Sequence, residues 1–196
     1  SERRDGLYFS FSQTSLWDLS SESKPFYDSS YRPEVWWHQG GLPHEWLGAA
    51  GLDVQAGIGH ESNGQSGGIS RNLNHLFFRP VARWDLPKQW QIHVAPRIRM
   101  LMGLDDNPDL PRYRGIFDLT ADIGQYDGVK VSTSTHIGTQ LDRASFQMDL
   151  TYPMLDLTHG WINCYAHLQW FSGYAESLRA YDQRSDRVLI GLSFIR

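Results

Sequence analysis

The sequence predicts an all-β fold of long antiparallel strands forming one domain over residues 1–196, and three observations predict it. Side-chain character alternates with a period of two over long stretches, the signature of strands with two unlike faces. Turn signals separate those stretches: Asp105-Asp106-Asn107-Pro108-Asp109, Asp127-Gly128, His159-Gly160 and Arg184-Ser185-Asp186. No convincing helical pattern interrupts them. About ten strands result, at roughly 6–18, 31–40, 46–61, 70–84, 89–103, 111–124, 128–139, 142–152, 160–173 and 185–195.

The alternation can be followed strand by strand. From Gly6 to Trp17 the odd positions are Leu7, Phe9, Phe11, Gln13 and Trp17, against Tyr8, Ser10, Ser12 and Thr14. From Trp46 to Ser62 the even face is Trp46, Gly48, Ala50, Leu52, Val54, Ala56 and Ile58, then His60 and Ser62; the odd face is small or polar. The next strand sets Asn74, Leu76, Phe78, Pro80, Ala82 and Trp84 against His75, Arg79 and Arg83. Trp90, Ile92, Val94, Pro96, Ile98, Met100 and Met102 oppose Gln91, His93, Arg97 and Arg99. Tyr113, Phe117, Leu119 and Ile123 oppose Arg112, Arg114, Asp118, Thr120 and Asp122, and Ile162, Cys164, Ala166, Leu168 and Trp170 oppose Asn163, His167 and Gln169.

Periodicity alone leaves the solvent open. A soluble sandwich or lipocalin-like barrel turns its apolar face inward, whereas a membrane barrel turns it outward. Strand length favours the membrane, since soluble strands usually run about five or six residues and spanning strands about nine to eleven. So does the placement of Trp17, Trp36, Trp37, Trp46, Trp84, Trp90, Trp161 and Trp170 near predicted strand ends, as an aromatic girdle requires; the plainer alternative is a tryptophan-rich core. No apolar run reaches the ~20 residues of a membrane helix.

Composition removes other classes. A formal net charge of -4 with no Lys/Arg cluster gives no footprint for nucleic acid. Cys164 is the only cysteine, so there is no intramolecular disulfide, and no Cys/His spacing resembles a zinc site.

Candidate chemistry sits in Gly57–Asn74, GIGHESNGQSGGISRNLN. By parity His60, Ser62 and Asn74 interrupt the otherwise apolar faces of two adjacent strands, near the ends joined by a Gly-rich connection. A serine hydroxyl becomes a nucleophile when an imidazole accepts its proton, and a third group fixes the imidazole tautomer. Asn74 suits that third role through its amide oxygen, with less stabilisation of imidazolium than an aspartate gives. A His two residues before a Ser is also an ordinary pair of polar loop residues, and the motif by itself does not decide between them.

At these residues the chain resembles the outer membrane phospholipase A family of Gram-negative bacteria. His60-Glu61-Ser62-Asn63-Gly64 is followed by Ser70-Arg71 and Asn74 at the family's spacing, and Asp105–Asp109, Ser172-Gly173-Tyr174-Ala175-Glu176-Ser177-Leu178 and Lys24-Pro25-Phe26 also match. The resemblance implies a transmembrane β-barrel of twelve strands, about ten of them in this chain, with two N-terminal strands outside it. It implies a calcium-dependent phospholipase A (A1, A2 and lysophospholipase) in the outer membrane, hydrolysing acyl esters of glycerophospholipids and active as a homodimer. Ser62 is then nucleophile, His60 base and Asn74 orienter. Calcium is held by the Gln65 carbonyl, Ser70 and the partner subunit's Ser23, with Asp106 as a further ligand, and Gln13 is the dimer-interface glutamine. Two departures stand out: Gly67 replaces an acidic residue that some members use for a second calcium site, and Ser193-Phe194-Ile195-Arg196 replaces a terminal aromatic. The competing reading is a non-enzymatic membrane barrel, a small channel or adhesin.

Overall fold

A computed structural model describes residues 4–18, 21–23, 26–105, 107–140, 142–155 and 157–195. They form ten strands: β1 Gly6–Trp17, β2 Phe26–Gln39, β3 Gly51–Ser62, β4 Asn72–Leu86, β5 Trp90–Met102, β6 Phe117–Gln125, β7 Lys130–Ile137, β8 Ala144–Pro153, β9 Tyr165–Gly173 and β10 Ser185–Ser193. Each pairs antiparallel with its neighbour in sequence, in the order β1 to β10. Among the described residues β1 and β10 are the outer strands of the sheet. The sheet curls: in the β9–β10 connection, Arg179 donates from its backbone N–H to Asp28 Oδ2 (3.3 Å) and from its guanidinium to the Tyr27 carbonyl (2.7 Å), back at the start of β2.

Ten strands were expected and ten are present, but several begin elsewhere. β2 starts at Phe26, earlier than its sequence signal. β3 starts at Gly51 because Glu45–Leu47 form a 3-10 turn, ended by Gly48 in the left-handed region (φ 59°). β6 starts at Phe117 because Pro111–Arg114 form a single helical turn, α1, with the proline at its start where no N–H is needed. β9 starts at Tyr165, since His159 (φ 52°) and Gly160 (φ 88°) turn the chain and Thr158 Oγ1 donates to the Met154 carbonyl (2.7 Å). Cys164, expected on an outward face, is instead buried beside Met154.

The alternation sorts the faces as a membrane barrel requires. Leu7, Phe9, Phe11, Ile58, Phe78, Ile98 and Met100 all lie exposed on the outer side. Of the tryptophans only Trp36 is in the buried interior, so the core alternative fails; Trp37, Trp46 and Trp161 are exposed toward one rim and Trp17 toward the other, while Trp170 lies within β9.

The lumen is polar and crosslinked. Arg97 pairs with Glu34 (2.5 Å), Glu34 with His75 (3.2 Å), Arg32 and Arg114 with Glu61 (2.8 and 3.2 Å), and Lys130 with Asp122 (3.3 Å). Asp118 takes both Arg99 and His136. Charges so buried are tolerated only because each has a partner. At the end bearing the β3–β4 connection, Leu73, Leu110, Ala175, Leu178 and Tyr181 form a small apolar plug, with Leu101, Leu104 and Tyr113 packed on it. A polar cavity of about 890 Å³ opens at the opposite end, lined by His38, Asp53, Gln55, Arg79 and Arg83 among others.

Candidate active site

β3 and β4 pair in a register that sets His60 opposite Asn74 and Ser62 opposite Asn72. Because faces alternate, His60, Ser62 and Asn74 all point outward while Glu61 and His75 point into the lumen, where both are buried. The imidazole of His60 donates from Nδ1 to Asn74 Oδ1 at 2.8 Å. An amide oxygen can only accept, so this contact places the proton on Nδ1 and leaves Nε2 as an acceptor. Ser62 lies two residues further along the same face, about 6–7 Å away along the strand. The sheet thus brings His60 and Asn74 into contact and Ser62 onto the same face, without a hydrogen bond from Ser62 to that pair among the described residues. Such contacts commonly tighten only when substrate binds.

What lies behind this face explains a glycine. A Cβ on Gly59 would come within 2.5 Å of the His75 ring and 3.1 Å of Glu34 Cγ, so only glycine lets the His75–Glu34 pair close across the inner side of β3 directly behind His60. Glu61, between His60 and Ser62 in sequence, is tied to Arg32 of β2 and Arg114 of α1. β3, which carries His60 and Ser62, is therefore held from within by ion pairs to two other elements.

The β3–β4 connection is shaped by Gly64 (φ 64°) and Gly67 (φ 67°), both left-handed, with a short 3-10 turn over Gly67–Ile69. Asn63 is 1% exposed and makes three side-chain hydrogen bonds within the connection: Oδ1 accepts from the N–H of Gln65 (3.3 Å) and of Arg71 (3.0 Å), and Nδ2 donates to the Ile69 carbonyl (2.8 Å). Gln65 is exposed, and Ser70 is half-buried with its N–H donating to the Gly67 carbonyl (3.0 Å). Ser23 lies exposed in the β1–β2 connection, at the same end of the sheet, and Asp106 lies outside the described residues. Gln65, Ser70 and Ser23 offer uncharged oxygens, which suit a hard cation such as calcium. No cluster of three or more His, Cys, Asp or Glu able to hold a metal occurs among the described residues.

One ladder row crosses the site: Gln13 opposes Tyr31, Tyr31 opposes Ser62, and Ser62 opposes Asn72. Gln13 Nε2 donates to Ser15 Oγ (3.0 Å), which contacts Ser29 Oγ (2.9 Å), so a polar patch continues outward from the site over β1 and β2. Sequence reasoning quoted Asn63 within the His60–Gly64 motif without giving it a role, and it missed Gly103, whose added Cβ would lie 2.8 Å from Asn74 Nδ2. Neither carries a periodic signal.

An apolar exterior, a crosslinked polar interior and strands paired in sequence order define an antiparallel β-barrel of the outer-membrane type, here with a His–Asn pair and a serine on its outer wall. The phospholipase A1 family profile matches residues 1–194, and the chain belongs to that family. It is 31% identical to phospholipase A1 of Salmonella typhimurium and of Escherichia coli K12, over 93% of this chain and 60% of each relative. It is 26% identical to a putative phospholipase A1 of Neisseria meningitidis serogroup B, over 97% of this chain and 49% of that one. The chain thus spans about 60% of the length of the enterobacterial relatives it matches. Among solved structures it resembles a calcium-bound dimer of Salmonella typhi outer membrane phospholipase, at TM-score 0.77 and 29% identity over 95% of this chain and 69% of that one. It also resembles Escherichia coli outer membrane phospholipase A, at TM-score 0.76 and 29% identity over 95% and 73%. An active-site mutant of the latter, with an asparagine replaced by alanine, superposes at TM-score 0.76 and 29% identity, over 95% of this chain and 68% of that one.

Proposed function

We propose that this chain forms the catalytic part of a calcium-dependent outer-membrane phospholipase A that hydrolyses acyl esters of glycerophospholipids, folded as a single barrel domain and activated by dimerisation. The observation that carries the reading is the 2.8 Å hydrogen bond from His60 to Asn74 on the outward face of β3 and β4, beside Ser62. In this reading Ser62 Oγ attacks the ester carbonyl, His60 Nε2 takes its proton and later returns it to the leaving alcohol, and Asn74 holds the imidazole in the tautomer that leaves Nε2 free. The active-site asparagine of the Escherichia coli protein supports that role for Asn74.

Depth supports the substrate class. Trp84 and Asn74 lie ten residues apart on β4, about 33 Å of strand and about 23 Å of bilayer at a tilt near 45°. That is close to the ~25 Å height of a barrel's apolar band. With Trp84 at one edge of the band, His60, Ser62 and Asn74 sit at the other, where glycerol esters meet head groups.

Gln65 and Ser70, with Ser23 of a second copy, would hold the calcium ion of this reading. Bound there, the ion supplies positive charge where the oxyanion develops, alongside the Ser62 backbone N–H. The calcium-bound dimer among the structural relatives supports both the metal and the pairing of subunits, and Gln13 belongs to the face through which two copies would meet. The enterobacterial sources of the relatives support a Gram-negative outer membrane as the location.

Hydrolysis of a phospholipid in detergent micelles tests the reading. Wild type should be active with calcium and silent in EDTA, and Ser62→Ala should lose activity while still migrating as a folded, heat-modifiable barrel. Activity retained in Ser62→Ala would sink the nucleophile assignment, and indifference to EDTA would remove the metal.

A further inference from the structure

We infer that Asn63 is a positioning residue for calcium, holding the β3–β4 connection in the shape in which Gln65 and Ser70 serve one cation. This rests on the calcium reading of that connection. Asn63 is 1% exposed in a segment whose other members are mostly exposed. Its amide binds both limbs: the outgoing limb through the Gln65 N–H, and the returning limb through the Ile69 carbonyl and the Arg71 N–H. Its own backbone N–H donates to the Arg71 carbonyl at 3.0 Å. Ser70 therefore lies between two residues that Asn63 grips, and Gln65 is gripped directly.

The chain between these contacts has unusual freedom. Gly64 and Gly67 sit in the left-handed region and Gly68 adds a third residue without a side chain, so the connection has many backbone states to choose from. Arg71 adds bonds from its guanidinium to the Gly68 and Ser70 carbonyls (3.1 and 2.7 Å), while the Asn63 side chain ties the returning limb to Gln65. A cation held by uncharged oxygens gains little from any one of them, so its affinity depends on the ligands being arranged beforehand. Asparagine is also the side chain that fits: Asp keeps the two accepted bonds and loses the donated one, while Ala loses all three.

The experiment compares wild type, Asn63→Ala and Asn63→Asp as full chains refolded in detergent. Calcium affinity is read by isothermal titration calorimetry, the calcium dependence of phospholipid hydrolysis alongside it, and the unfolding midpoint in EDTA separately. Asn63→Ala should weaken calcium binding about tenfold or more, the scale seen when partners of metal ligands are removed. Its hydrolysis curve should shift to higher calcium by the same factor and return near the wild-type maximum at saturation, with Asn63→Asp in between. A merely structural role lowers the EDTA midpoint and leaves affinity unchanged. Wild-type affinity in Asn63→Ala, or a rate that saturating calcium fails to restore, overturns the inference. If wild type itself binds no calcium, the metal reading fails first and the inference with it.

Discussion

Asn74 accepts the His60 hydrogen bond through a single amide oxygen, and the room for that amide is made by a residue with no side chain. Gly103 follows β5 directly, has φ 66°, and a Cβ there would lie 2.8 Å from Asn74 Nδ2. Asn74→Ala should therefore lower kcat by about 10²-fold, in the range of lost transition-state contacts, with KM little changed. Gly103→Ala should produce part of that loss while adding strain on the order of 1 kcal/mol. Steady-state kinetics on both variants checks this: an Asn74→Ala enzyme with wild-type kcat would remove Asn74 from the mechanism. At this scale the sequence was legible where the period of two applied. Parity put His60, Ser62 and Asn74 on one face, because a regular antiparallel ladder with faces set by apolar residues leaves no other arrangement. Gly103 and Asn63 were not legible, since their roles arise from contacts between segments that meet only in the folded sheet.

The connections at the site end act as an element of their own. Tyr181, in the β9–β10 connection, packs on Leu110 and Leu178 and its hydroxyl donates to Asp109 of the β5–β6 connection, so the plug is closed by an apolar contact and a polar one. Burial first, and then the Asp109 hydrogen bond, push the Tyr181 phenol above its usual range. A group whose folded pKa is raised contributes stability fully below its unfolded pKa, about 10 for tyrosine, and loses that contribution as pH rises beyond it. Hydrogen exchange of the plug amides should accordingly quicken above about pH 10 in wild type. Tyr181→Phe should show faster exchange already at neutral pH, by roughly the 1 kcal/mol of a lost hydrogen bond, and less additional change at high pH. Identical profiles for the two proteins would contradict this. The plug was invisible in the sequence because its members are scattered over Leu73, Leu110 and Ala175–Tyr181 and share no period. α1 escaped for a related reason: four residues are too few to display a helical repeat.

For the whole molecule, the decisive physical statement is that the apolar side faces out. The row Trp37, Ala56, Phe78, Ile98, Phe117 and Ile137 crosses six strands on the outer face, while the next residue inward from Ile98, Arg97, is paired to Glu34 in the lumen. Alternation and strand length made this arrangement legible, since both follow from the bilayer's thickness and the pleat. Which strands flank β1 and β10 did not follow, because parity describes faces and carries no information about edges. The row yields a test that needs no catalysis. Ile98 stands near the middle of β5 and is 57% exposed in the isolated chain, so in a bilayer its neighbour is lipid. Ile98→Arg should then destabilise the protein folded into phosphatidylcholine vesicles by about 2–4 kcal/mol, the cost of arginine near a barrel's midplane. Trp161→Arg, in the β8–β9 connection at the rim, should cost about 0–1 kcal/mol. Denaturant titration of the vesicle-folded proteins measures both. Equal and small effects at the two positions would mean that the Ile98 face meets water, and the proposed outward-facing site would then lose its lipid.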